Sequence, residues 1–225
     1  SFIMEDKNKI IILAAIVAVI AIIGVLLFTG SLGSNGNKNM ETTPFEMDFM
    51  TGKFTGNVKL VNDKEKFMHS YEDKQNSITY NISTVDNSTA LMEIYELQGI
   101  TNPDVRTFNG NDWNIYFTQA VPTNNTTNTD KPMNIIVCES QGQKQGYLIY
   151  MIIDGNSKLN ATGKMYSEAY KDYVEPLLNS ITLKESKNVP HVYEEFGLSQ
   201  DEFNQQMDLV RQYKAGNTSV LEGAQ

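Results

Sequence analysis

Side chains that cross-link, ligate metals or grip nucleic acid are scarce in this chain of 225 residues. It has one cysteine, two histidines and one tryptophan. With Cys138 alone, no intrachain disulfide exists. Cys138 lies in the apolar run Met133-Asn134-Ile135-Ile136-Val137-Cys138 with no cation beside it, which predicts an inert, buried thiol. The histidines are His69, next to Glu72 and Asp73, and His191, with Glu194 and Glu195 following. Neither group closes a zinc site, which takes three or four ligands, so no metal and no cofactor is predicted. Arginine occurs only at Arg106 and Arg211 and the net charge is −9, which excludes a basic nucleic-acid face. No strand–GxSxG–helix segment, phosphate loop or dinucleotide fingerprint is present. Asp154 to Asn160 lacks the acidic spacing and closing glutamate of a calcium loop, so it is read as a turn.

Long apolar runs are not scarce. Ile10 to Phe28 carries no charge. A helix of that length reaches about 28 Å, close to the roughly 30 Å hydrocarbon core of a bilayer. The run exceeds the apolar region of an ordinary signal peptide, so an uncleaved transmembrane anchor is expected. Lys7 and Lys9 before the span place residues 1–9 in the cytoplasm and the rest outside. The expected partner of residues 10–28 is therefore the lipid bilayer, in a single-pass arrangement. Met4 reads as a natural start. Gly, Ser, Asn and Thr dominate residues 29–44, the composition of a flexible linker. N-x-S/T acceptors at Asn81, Asn87, Asn124, Asn125, Asn160 and Asn217 fit an outside location, as candidate glycosylation sites.

The remaining chain reads as α+β. Phe54–Val61, Phe67–Tyr71 and Ser77–Ser83 have strand patterning, the last with Ile78, Tyr80 and Ile82 alternating against polar neighbours. Asp86-Asn87-Ser88-Thr89 reads as the cap of a short helix through Leu91, Ile94, Tyr95 and Leu97, ended by Gly99, with a strand as the alternative. Asn109-Gly110 predicts one hairpin and residues 140–146 a second. Tyr166, Ala169, Tyr170, Tyr173 and Leu177 recur at helical spacing, with Pro176 forcing a bend or a new turn. Trp113 is placed in the core.

A C-terminal unit, residues 185–216, contains a helix opened by the capping box Ser199–Glu202. Its narrow stripe of Phe203, Met207 and Val210 must pack on something. Docking onto its own domain is the first reading and a partner protein's groove the second, which makes these residues candidates for partner binding. Residues 217–225 read as a disordered tail.

Two segments carry a resemblance: Val105-Arg106-Thr107-Phe108-Asn109-Gly110-Asn111-Asp112-Trp113, and Tyr173-Val174-Glu175-Pro176-Leu177-Leu178-Asn179-Ser180-Ile181-Thr182-Leu183. In this order of elements, residues 45–184 resemble PsbP-like domains. The whole chain resembles anchored envelope proteins common in methanogenic archaea. The resemblance implies an α/β/α sandwich around an antiparallel sheet, and a binding or assembly role more often than catalysis. The expected function is thus a membrane-anchored extracytoplasmic domain, non-enzymatic, that binds a partner or ligand in the cell envelope. The alternatives are an envelope hydrolase or metal-dependent enzyme with a site assembled from distant residues, and a structural surface protein.

Overall fold

The computed structural model describes residues 41–120 and 131–221. The run 10–28, residues 29–40 of the expected linker, Asn124 and Asn125 lie outside the described residues. Among the described residues no helix is long and apolar enough to cross a membrane.

The chain is α+β with antiparallel sheets. Strands β3 (Lys59–Glu65), β4 (Met68–Asp73), β5 (Ile78–Val85), β6 (Asp104–Phe108), β7 (Asn111–Ala120), β8 (Met133–Gln141) and β9 (Gly146–Ile153) form a seven-stranded sheet in the order β3-β4-β5-β9-β8-β7-β6. Strands β1 (Thr42–Glu46), β2 (Met50–Thr55) and β10 (Thr182–Leu183) form a small second sheet, β1-β2-β10. Period-2 alternation sends β9 to two cores. Tyr147, Ile149, Met151 and Ile153 join the small sheet, while Leu148, Tyr150 and Ile152 face the helices α1 (Ser88–Glu96) and α3 (Gln200–Lys214). Cover on both faces explains why β8 and β9 read as nearly unbroken apolar runs.

The starts of α1 and α3 have local causes. The Asn87 side chain accepts from the Ala90 amide and starts α1, and Gly99 turns the chain afterwards at φ +81°. Gly146 lets α1 approach β9: a Cβ there would fall 2.1 Å from Ser88 Oγ. The Ser199–Glu202 capping box opens α3.

Several expectations need correction. Strand patterning over Phe54–Val61 is broken at Gly56, whose φ of +93° separates β2 from β3. There Thr43 Oγ1 donates to Gly56 O and accepts from the Val58 amide, so residues 42–44, expected as linker, already belong to β1. Tyr166 is not in the helical stripe. It ends a 3-10 turn and is 82% exposed, because Ser167 is extended and its Oγ caps the next helix through the Tyr170 amide. Ala169–Val174 is π-helical and runs into α2 (Glu175–Ser180). Pro176 cannot donate to a carbonyl one turn back, and the Glu175 amide reaches Tyr170 O instead. Thr218–Leu221, expected as tail, forms a 3-10 turn with Val220 buried in the helical core.

Candidate ligand-binding site

Side chains of β7 alternate too. Trp113 and Ile115 enter the core beneath the small sheet, while Asn114, Tyr116 and Thr118 face the side of α1. Register sets Asn114 opposite Glu139, Tyr116 opposite Val137 and Thr118 opposite Ile135. Two cavities lie along this stretch and share Ile100 as a common wall.

The first is an apolar slot of about 170 Å³ whose lining includes Ile100, Ile135, Val137, Tyr95 and Tyr150. Gln98, Thr118 and Gln119 also line it, and its buried polar feature is the Tyr95–Tyr150 hydroxyl pair, 3.0 Å apart, with the rings edge to face. Both tyrosines are buried. Burial pushes the Tyr95 hydroxyl up to about 12 and raises that of Tyr150 well above its usual value, so both stay protonated. One hydroxyl donates to the other, and the pair keeps a second O–H for an outside acceptor.

The second cavity, about 360 Å³, has Met92, Ile100 and Pro103 on its apolar side and Glu139, Asn114, Tyr116, Glu93 and Glu96 on its polar side. Glu139 is 2% exposed. Its Oε2 accepts from Ser88 Oγ at 2.6 Å and its Oε1 from Asn114 Nδ2 at 2.9 Å. At the rim, Arg211 of α3 pairs with Glu93 at 3.2 Å and Lys214 with Glu96. Tyr116 is buried, and burial with the nearby Glu139 and Glu96 carboxylates pushes its hydroxyl up to about 12.

The residues singled out in the sequence lie elsewhere. Phe203, Met207 and Val210 are 5%, 2% and 0% exposed, inside the core that α3 forms with α1, β8 and β9. Their stripe therefore docks on its own domain and is not a free face. Asn87, Asn160 and Asn217 are exposed, whereas Asn81 is half-buried in β5 between β4 and β9. Asn160 Oδ1 accepts from Thr162 Oγ1 and Asn217 Oδ1 from Ser219 Oγ. His191 does not gather carboxylates into a metal site. Its Nδ1 bonds Asp86 Oδ2 at 2.8 Å and its ring stacks on Tyr193. Among the described residues no group of three or more His, Cys, Asp or Glu side chains could hold a metal ion. Cys138 is buried and its thiol is pushed up to about 12 by that burial.

Sequence reasoning missed Glu139, Tyr116, Tyr95 and Tyr150. One signal was available: in Ile135-Ile136-Val137-Cys138-Glu139, period-2 spacing puts the carboxylate on the same buried face as Ile135 and Val137.

No protein-family model and no curated protein matches the chain. Among solved structures, a protein from Bacteroides thetaiotaomicron VPI-5482, determined at 1.50 Å resolution, is similar over 78% of this chain and 71% of its own. The identity is 7% and the TM-score 0.42.

Proposed function

We propose that the chain is a membrane-anchored, extracytoplasmic binding domain of PsbP-like type, non-enzymatic, that holds a small apolar ligand bearing one polar group. The observation that carries it is the apolar slot with the buried Tyr95–Tyr150 hydroxyl pair in its wall. Cavities lined by apolar side chains with a few fixed polar groups are the usual form of small-molecule sites. A dry apolar cavity of about 150 Å³ admits a benzene-sized ring, and the slot is of that order. The uncharged length of Ile10–Phe28 supports the anchor. The sequence pattern of residues 105–113 and 173–183, with helices α1 and α3 on one side of an antiparallel sheet and α2 on the other, supports the PsbP-like assignment.

Titration of the full chain in lipid nanodiscs with indole, followed through the Ile100 and Ile135 methyl signals, tests the binding. A saturable shift that Thr118→Leu abolishes by filling the slot is expected. Absence of a shift, or a shift unchanged in Thr118→Leu, contradicts the reading. For the anchor, resistance of the membrane-bound protein to carbonate washing is expected, and recovery of the full-length chain in the soluble fraction contradicts it.

A further inference from the structure

Glu139 is a carboxylate at the bottom of the second cavity with only neutral donors in contact, Ser88 Oγ and Asn114 Nδ2. The rim carboxylates differ, since Glu93 and Glu96 already have Arg211 and Lys214. A buried carboxylate is costly unless it is paired, and a carboxylate has about four lone-pair sites, so Glu139 keeps acceptor capacity for a cation.

A second observation is independent of the acidic groups. Tyr116, 8% exposed, lines the same cavity, and among the described residues its hydroxyl has no hydrogen-bond partner. The hydroxyl is not one of the fully buried atoms without a partner, so it is open to the cavity and free to meet a bound group. Asn114 spends its Nδ2 on Glu139 and retains its Oδ1 as an acceptor. The polar wall thus offers a carboxylate, a phenol oxygen and an amide oxygen. An ammonium group has three donors and no acceptor, which matches that set. Met92, Ile100 and Pro103 supply an apolar wall for a carbon body. The volume, about 360 Å³, suits a small organic molecule rather than a bare ion. The net charge of −9 favours approach of a cation.

We propose that the cavity between α1, the Ile100–Pro103 segment and β7 binds a primary organic ammonium, with Glu139 as counter-ion and the Tyr116 hydroxyl as second acceptor. The source is a free amine or the side chain of a protein lysine, which present the same group. This site is separate from the tyrosine-walled slot, and its test does not depend on that reading.

The experiment titrates the full chain in lipid nanodiscs, labelled at methionine methyls, so that Met92 reports from the cavity wall. The probes are n-butylamine, its uncharged counterpart n-butanol, the lysine mimic Nα-acetyl-lysine methylamide, and potassium chloride. A saturable Met92 shift with n-butylamine that n-butanol and potassium chloride do not reproduce is expected. Glu139→Gln should weaken that binding by at least about tenfold, since it removes the buried charge partner. Tyr116→Phe, which keeps the ring, should weaken it by about three- to tenfold, and it decides the matter if Glu139→Gln does not fold. The lysine mimic binding as well as n-butylamine identifies a protein lysine as the source, and n-butylamine alone a free amine. No Met92 shift, equal shifts with n-butanol or potassium chloride, or unchanged affinity in the folded variants overturns the proposal.

Discussion

The hydroxyls of Tyr95 and Tyr150, from α1 and β9, meet 3.0 Å apart beneath the helical layer, and each is buried. Leaving one of two buried, paired hydroxyls without the other is costly, so the pair behaves as a unit. Tyr95→Phe or Tyr150→Phe alone leaves the other hydroxyl unpaired and should cost about 1–3 kcal/mol. The double change should cost clearly less than the two singles added, with a coupling of about 0.5–3 kcal/mol. Urea unfolding of the four proteins gives the cycle. Additive costs contradict a hydrogen-bonded pair.

Tyr80 and Tyr170 show the opposite situation, with buried hydroxyls that have no partner among the described residues. Tyr80→Phe and Tyr170→Phe should be neutral or stabilising, because the desolvated hydroxyl is removed and the ring kept. Tyr170→Ala should cost about 3–5 kcal/mol, since the ring is 2% exposed and packs edge to face on Phe117. Thermal melts check both. A loss of more than about 1 kcal/mol from either Tyr→Phe change means that the hydroxyl has a partner.

The C-terminal unit should dock more tightly in acid. The Asp86 hydrogen bond, joined by the charges of Asp86 and Glu194, raises the His191 pKa above 6.5 against the opposing effect of desolvation. A group raised on folding contributes stability below its unfolded pKa and loses it as pH rises through the folded value. Glu195 is raised from 4.5 to about 7, first by burial and then by the charges of Asp86 and Glu65, so its contribution falls across that interval in the same direction. Glu195 is nonetheless exposed at the surface, so solvent screening leaves only a minor part of that effect and His191 carries most of the pH dependence. Amide exchange across 191–210 should therefore quicken between about pH 5 and 8 beyond its intrinsic increase. His191→Ala together with Glu195→Gln should flatten that excess. A pH-independent opening free energy contradicts the prediction.

Deleting residues 190–225 should lower the melting temperature sharply, because Phe203, Met207 and Val210 leave the core they share with α1. Met207→Ala alone should cost about 2–5 kcal/mol. Unchanged melting with a lost partner protein would instead restore the groove-binding role of that stripe.

Much of the local fold was legible in the sequence, and the reason differs by element. Asn87, Ser199 and Asn109-Gly110 act through bonds and turns within a few residues, so α1, α3 and the β6–β7 hairpin follow from short motifs. Tyr166 was misplaced because Ser167 breaks the helical spacing with an extended conformation, which periodicity alone does not register. The candidate cavities were not legible. Glu139 meets Ser88 across a sequence separation of 51 and Tyr95 meets Tyr150 across 55, distances that only the sheet order brings together.

The most direct test of the binding-domain reading is electron density from crystals of the protein soaked with indole. The account predicts one ordered ring between Ile100, Ile135 and Val137, with its polar edge toward the Tyr95–Tyr150 hydroxyls, and no density there after the same soak of Thr118→Leu crystals. A slot that stays free of indole in wild-type crystals, while the rest of the structure is well resolved, would contradict it.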